Sequence, residues 1–132
     1  YPSKPKAYLT GAFQIADALR KEIIVHYGNH GVMPNTKDIK IIHNYIEDEY
    51  NIYHLSNINI ENGAITLTLN HPIFEPGKSQ ITFRPAYQKD RHAGTTVLWL
   101  CGYKPPPEYA FVNTKNNTTI NKDFLTANCK GY

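Results

Sequence analysis

The two cysteines of the chain, Cys101 and Cys129, enclose a stretch in which apolar residues have no regular spacing. The only tryptophan, Trp99, lies just before the first of them. The pair fits one disulfide in an exported protein, or two unrelated thiols in the cytosol. A long irregular stretch inside a compact domain normally needs a function or a covalent link, which favours the disulfide. Closing a loop of about 29 residues would stabilise the fold by about 3–4 kcal/mol on the entropic view.

The bulk properties of the sequence narrow the class of protein. Its 132 residues predict one domain, residues 1–132, with a core of its own. A hydrophobic content of 41% argues against disorder, and no apolar run reaches the length of a membrane span. The sequence contains no nucleophile elbow, phosphate-binding loop or paired-carboxylate motif. We therefore expect a protein that is not an enzyme and needs no cofactor.

Residues 1–31 predict a long amphipathic helix and its cap. Apolar side chains recur there at spacings of three and four, which places them on one helix face. Gly28, Asn29 and Gly31 tolerate the left-handed conformation that ends helices. The predicted face, on which we also expect subunits to assemble, consists of Leu9, Phe13, Ala16, Leu19, Ile23 and Tyr27. Further isoleucines widen this face, so that the helix can pack on a sheet and also contact neighbouring subunits.

Residues 32–51 predict a connecting segment with a second, shorter helix. Asn35 or Thr36 can cap this helix, because short polar side chains accept hydrogen bonds from the first free backbone N–H groups. Its buried face would carry Ile39, Ile42 and Ile46.

Residues 52–103 predict a four-stranded antiparallel meander, because apolar residues now alternate with polar ones. Asn62-Gly63 is a strong hairpin signal between the first two strands. We expect Pro85 to limit the third strand, since proline cannot donate to a sheet ladder. Residues 104–132 would form the disulfide-bounded loop and the C-terminus. The predicted fold class is α+β, with the long helix packed on the sheet.

This order of elements resembles the globular domain of type IV pilins. The resemblance is carried by Trp99, Cys101 and Gly102, which match a Trp-x-Cys-Gly motif on the last strand. Residues 57–66 look like the first hairpin of the family, and residues 125–129 look like its closing Leu-Pro-x-x-Cys segment. The resemblance covers essentially the whole chain, is firm over the first helix and from residue 57 onward, and is loose through the connecting segment and the tail.

The chain departs from the family pattern at two points. Thr126 stands where the family usually has proline, so the closing turn can differ locally. The strongly apolar N-terminal half-helix of the family is not in the sequence, as in pilins that are trimmed to make soluble protein.

The resemblance implies a structural subunit of a bacterial type IV pilus filament. Such a subunit partners other pilin subunits in a helical filament and is held in the inner membrane before assembly, with its soluble domain in the periplasm. The soluble fragment is expected to be monomeric. The filament would serve adhesion, twitching motility or DNA uptake. Two alternatives are a minor pilin that acts as a DNA receptor in natural transformation, and a type II secretion pseudopilin, whose tail is typically stabilised by calcium.

Two groups of polar residues are candidate sites. Six basic residues around the third strand and in the tail could together contact DNA or a host surface, although a solvated basic surface is the favoured explanation. They are Arg84, Lys89, Arg91, Lys104, Lys115 and Lys122. Glu22, His26 and His30 have the spacing of one helix face, but we expect solvated histidines there and no metal site.

Overall fold

A computed structural model describes residues 3–46, 52–88 and 96–131. Helix α1 spans Ser3–His30 and ends at Gly31, whose φ of 73° is the left-handed conformation of a helix cap. The helix thus passes through Gly28, which the sequence prediction took as part of its end. None of the helices in the described ranges has the length and apolar character needed to cross a membrane.

The sheet is antiparallel and contains five strands in the described residues, one more than predicted. The first four lie in the order β1-β2-β3-β4, as a meander requires, and the fifth pairs with β3. Their bounds are β1 Leu55–Glu61, β2 Ala64–Leu69, β3 Gln80–Gln88, β4 Val97–Cys101 and β5 Ala110–Phe111. The additional strand β5 is only two residues long and lies in the tail, where no alternation announces it.

Strand β3 continues through Pro85, so the prediction that this proline limits the strand was wrong. Pro85 lies opposite Trp99 in the ladder with β4. On the other side of β3, pairing with β2 ends at Phe83 and pairing with β5 begins at Tyr87. Pro85 therefore occupies a gap between two partners, where a strand can lack an N–H donor without losing a ladder hydrogen bond.

The connecting segment forms short helical turns instead of one regular second helix. These turns are Thr36–Asp38, Lys40–Ile42 and His43–Ile46. Ile39 and Ile42 are buried, as predicted, whereas Ile46 is partly exposed. The hydroxyl of Thr36 accepts a hydrogen bond from the Ile60 N–H at 2.8 Å and donates one to the Ile60 carbonyl at 3.1 Å. The segment thereby covers the outer edge of β1.

Helix α1 packs on one face of the sheet and forms the main core with it. The helix residues that are buried there are Leu9, Ala12, Ile15, Ala16, Leu19 and Ile23. Phe13 meets Phe83 edge-to-face, with ring centroids 5.9 Å apart. The α+β class and the packing of the helix on an antiparallel sheet are confirmed.

The tail crosses the opposite face of the sheet. Ala110 packs there with Ala86 and Leu100 in a separate small cluster. Further along, Asn117 donates its backbone N–H to the buried hydroxyl of Thr82 at 3.1 Å. The tail then returns to the helix side through a short turn, Lys122–Phe124, and a C-terminal helix, α2, at Ala127–Lys130. The sheet is consequently enclosed between α1 and the mostly irregular tail.

Candidate functional site

The disulfide predicted from the sequence is present. The Cys101 and Cys129 sulfur atoms are bonded at 2.01 Å, and the two Cα atoms lie 4.8 Å apart. The bridge is buried, and the Tyr103 N–H donates to the Cys129 carbonyl at 2.9 Å beside it. Strand β4 and helix α2 are therefore joined both covalently and by a backbone hydrogen bond.

The predicted assembly face of α1 is mostly the face that packs on the sheet. Leu9, Ala16, Leu19 and Ile23 are each at most 1% exposed. Phe13 and Tyr27 are partly exposed at its margin. A second subunit would reach this helix more directly at its outer side, where Ile24 is 40% and Val25 is 58% exposed. Assembly through the helix stays a prediction.

Two of the predicted basic residues are held in hydrogen bonds inside the chain. The Arg84 guanidinium, on the tail-covered face, donates to the Lys104 carbonyl at 3.0 Å. Burial removes water from this group and lowers the pKa of Arg84. The Lys104 ammonium donates to the Asn128 side chain at 2.8 Å. Arg84 and Lys104 thus fasten the tail to the sheet and to α2.

Of the other four basic residues, two lie in the described part of the chain. The Lys122 ammonium lies 5.1 Å from the centre of the Tyr103 ring, and Lys115 is exposed. Lys89 and Arg91 lie outside the described residues. The Tyr103 hydroxyl itself donates to the Ile120 carbonyl at 2.7 Å, and burial raises the pKa of this tyrosine.

The histidines of α1 lie together at the end of the helix. His26 and His30 have ring centroids 4.3 Å apart, because the helix continues to His30. Within the described ranges, no group of three or more potential metal-binding side chains is found.

A second histidine pair lies near the start of α1, and sequence reasoning missed it. Tyr8 stacks on His71 at 3.8 Å between ring centroids and meets His54 edge-on at 4.9 Å. His71 also accepts the Ile73 N–H at its Nδ1, 3.1 Å away. The three aromatic residues are far apart in the sequence, and only the packing of α1 against the loops around β1 and β2 brings them together.

Concave surface surrounds Trp99. This ring lies on the helix side of β4, with the Arg20 guanidinium 6.0 Å from its centre, and Arg20 is ion-paired with Asp17. A cavity of about 260 Å³ lies between Trp99, Phe13 and the disulfide. A second cavity, of about 470 Å³, lies toward the outer side of α1 and is lined by Asp17, Arg20, Lys21, Ile24, Val25 and Trp99.

A third cavity lies on the other side of β4. Its volume is about 480 Å³, and it separates the strand from the proline-rich start of the tail. Leu98, Leu100 and Tyr109 contribute apolar surface to it, together with the run Pro105–Pro107. We call these three cavities together the Trp99 groove. The sequence singled out Trp99 as a family motif, but it did not show that strand β4 has concave apolar surface on both of its sides.

Comparisons with known proteins do not identify a family for this protein. No protein-family model matches the chain, and no curated protein matches it. The fold and the disulfide therefore carry the functional argument.

Proposed function

We propose that this protein is a structural subunit of a type IV pilus filament. The observation that carries the proposal is the Cys101–Cys129 bridge, which closes the tail onto the last strand of a helix-on-meander domain. This combination is what the pilin family resemblance implies for a chain with this order of elements. A packing role also agrees with the exposure of Ile24 and Val25 on the outer side of the helix. Open helical polymers arise when the same two unlike surfaces meet repeatedly.

We expect the tail held by the bridge to be the part that distinguishes this subunit from other pilins. It is anchored at several points, so its exposed residues are presented from a fixed support. Asn116 donates to the Gly102 carbonyl at 2.9 Å, and Thr119 donates its N–H to the Gln80 carbonyl at 2.9 Å. Whether the filament serves adhesion, twitching motility or DNA uptake would be decided on such surfaces.

A direct test is made in the bacterium that encodes the chain. Surface filaments are sheared off, and the fraction is examined by electron microscopy with gold-labelled antibodies against this domain. The proposal expects labelling along the filaments and its loss when the gene is deleted. Restoring the gene should restore the labelled filaments. Filaments that stay unlabelled, or a chain found only outside the filament fraction, would contradict the proposal.

The role of a DNA-receptor minor pilin has weaker support in the described residues. Arg84 and Lys104 are engaged by the tail and α2, and Lys122 lies against Tyr103, whereas Lys115 is exposed. A mobility-shift assay with duplex DNA at low salt tests this role. Salt-sensitive binding that weakens in a Lys115→Ala/Lys122→Ala variant, but not in Lys37→Ala/Lys40→Ala, would favour it. The pseudopilin alternative is less favoured, because a disulfide already holds this tail.

A further inference from the structure

Strand β4 is the last strand in the order β1-β2-β3-β4, so one side of its backbone faces away from the sheet. The Gly102 N–H donates to the Thr82 carbonyl at 2.9 Å, which makes these residues a hydrogen-bonded pair at the end of the β3–β4 ladder. Hydrogen-bonded and non-bonded pairs alternate along antiparallel strands. Leu98 and Leu100 therefore direct their backbone groups toward β3, whereas Val97 and Trp99 direct theirs away from the sheet. No strand within the described ranges pairs with this outer side.

The two edge strands of the meander, β1 and β4, differ in what covers them. At β1, Thr36 and Asn35 occupy edge positions, since the Asn35 side chain accepts the Asn62 N–H at 2.9 Å in addition to the Thr36 contacts with Ile60. Proteins usually protect an edge strand with such a cover, or with charged residues or proline. Strand β4, with the sequence VLWLC, contains neither charge nor proline. An apolar edge of this kind is suited to receiving another strand.

The Trp99 groove lies on both sides of this edge. The alternating side chains of an added strand would point in turn to the helix side, near Trp99 and Arg20, and to the other side, near Leu98 and the tail prolines. The cavities of about 470 Å³ and about 480 Å³ provide space at those two positions. The edge and the cavities thus meet the two requirements of strand addition, namely backbone hydrogen bonds and pockets for alternate side chains.

The charged side chains beside the groove indicate which kind of polypeptide would bind there. Among the described residues, its lining contains the cations Arg20, Lys21 and Lys104 and one carboxylate, that of Asp17, which is ion-paired with Arg20. A second copy of this chain, paired through its own β4 about a two-fold axis, would place the same positive groups against each other. An extended segment with carboxylates would place opposite charges there instead.

From these observations we propose that the outer edge of β4 binds an extended acidic polypeptide segment as an added strand of the sheet. Carboxylates of the segment lie on the helix side, near Arg20 and Lys21. Its apolar side chains enter the cavity between Leu98, Leu100 and the tail prolines. This inference does not depend on filament assembly, because it concerns recognition by a single domain.

The binding test uses the purified domain and a synthetic probe. The probe is a peptide of about seven residues, the length of an ordinary strand, in which glutamate alternates with valine. Trp99, the only tryptophan, reports binding by its fluorescence. Two control peptides have the same composition: one has a shuffled order, and one is N-methylated on alternate backbone nitrogens, so that it cannot donate along one edge. The proposal expects saturable binding of the alternating peptide and about tenfold or greater weakening for both controls.

Variants of the protein locate the site. Val97→Pro removes an outward donor without removing a bond to β3, and it should weaken binding strongly. Lys21→Glu should weaken binding about tenfold, whereas Lys37→Glu, an exposed lysine beside the covered edge, should leave it unchanged. Circular dichroism checks that Val97→Pro folds. The N-methylated peptide on the unaltered protein gives the same information if it does not.

Several outcomes overturn the proposal. Equal affinity for the alternating and shuffled peptides would show only apolar adhesion to Trp99. Equal affinity for the N-methylated peptide would show that no strand is added. Absence of binding to any peptide, together with a dimer that forms with rising concentration in light scattering and is lost in Val97→Pro, would assign the edge to a second copy of the chain.

Discussion

Gly102 occupies a place in the fold that no other residue type fits. Its φ of 58° is left-handed, and a Cβ atom added there would lie 2.9 Å from the Cys129 carbonyl oxygen. The contact is with backbone, which the neighbouring disulfide holds in place. We expect Gly102→Ala to lower the free energy of unfolding by about 1–3 kcal/mol, the usual cost of such strain. Urea unfolding of the oxidised protein, followed by circular dichroism, measures this change.

Gly28 provides the matched control for that substitution. It lies within α1, and a Cβ atom added to it meets nothing within 4 Å. Gly28→Ala should therefore raise the free energy of unfolding by about 0.5–1 kcal/mol, because alanine loses less backbone freedom in a helix. Equal effects of the two substitutions would contradict the role assigned to the backbone beside the disulfide.

The phenol of Tyr87 should make the stability of the fold depend on pH in the alkaline range. Burial raises the pKa of its phenol, and the neighbouring Tyr27 raises it further, so the folded state holds this proton more tightly than the unfolded state. The stabilisation is complete below the ordinary tyrosine pKa of about 10 and is lost as the pH rises from there through the folded pKa. Tyr87→Phe should thus lose less stability than the unaltered protein between about pH 8 and about pH 11.

The measurement for Tyr87 is urea unfolding at the two pH values, with short incubations that spare the disulfide. Tyr109→Phe is the control, because this side chain is 56% exposed. If Tyr87→Phe shows the same pH dependence as Tyr109→Phe and the unaltered protein, the burial of Tyr87 does not contribute to the alkaline loss of stability.

At the scale of elements, the tail and the disulfide act as one unit. The bridge spans 28 positions in the sequence and encloses β5 together with the residues that cover the outer face of the sheet. Cys101→Ser/Cys129→Ser should lower the free energy of unfolding by about 2–4 kcal/mol, since the unfolded chain regains the freedom of the open loop. In this variant, the tail should open before the rest of the fold.

Hydrogen exchange separates that local effect from a general one. In the double variant, the amides of Thr119 and Ile120, which bond to the Gln80 carbonyl, should exchange faster. Those at the centre of β2 should keep their relative protection, because β2 is paired on both sides. A uniform increase over the whole chain would contradict the description of the tail as a separate layer.

The helix and the strands also show how much of the fold could be predicted from the sequence. The stripe along α1 and the alternation in β1 and β2 predicted helix and strands correctly, since each pattern reports the burial of one face. Pro85 misled the prediction because its tolerance depends on which strands flank β3, and that is a property of the sheet. Strand β5 and the Tyr8–His54–His71 cluster have no local signal at all. The concavity around Trp99 likewise depends on distant segments and needs the folded structure.

At the scale of the whole molecule, the helix, the tail and the edges of the sheet differ in how much apolar surface they leave exposed. The helix buries one face and leaves Ile24 and Val25 exposed on its outer side. The tail covers the opposite face of the sheet, and the connecting segment covers one edge. Two apolar surfaces, the outer side of α1 and the edge at β4, adjoin at Trp99. The proposals for assembly and for strand addition accordingly concern adjacent parts of the molecule.

Substitution at Val25 tests assembly through the outer side of α1. If subunits assemble through the outer side of α1, Val25→Asp would place an unpaired carboxylate in an apolar contact, at a cost of about 1–3 kcal/mol for each contact. We therefore expect the amount of the chain in sheared filaments to fall well below that of the unaltered protein, while the total amount in the cell stays the same. Quantitative immunoblotting of both fractions measures this ratio.

Val32→Asp is the control for Val25→Asp, because Val32 is similarly exposed, at 61%, but lies beyond the end of α1. Val32→Asp should leave the filament fraction close to that of the unaltered protein. If both substitutions abolish filaments, the contact is not specific to the outer side of the helix. If neither does, subunits meet elsewhere. Because Val25 also lines the helix-side cavity of the Trp99 groove, Val25→Asp should weaken binding of the acidic peptide as well. Val97→Pro lies at β4, away from the outer side of α1, and should weaken peptide binding while leaving the filament fraction unchanged.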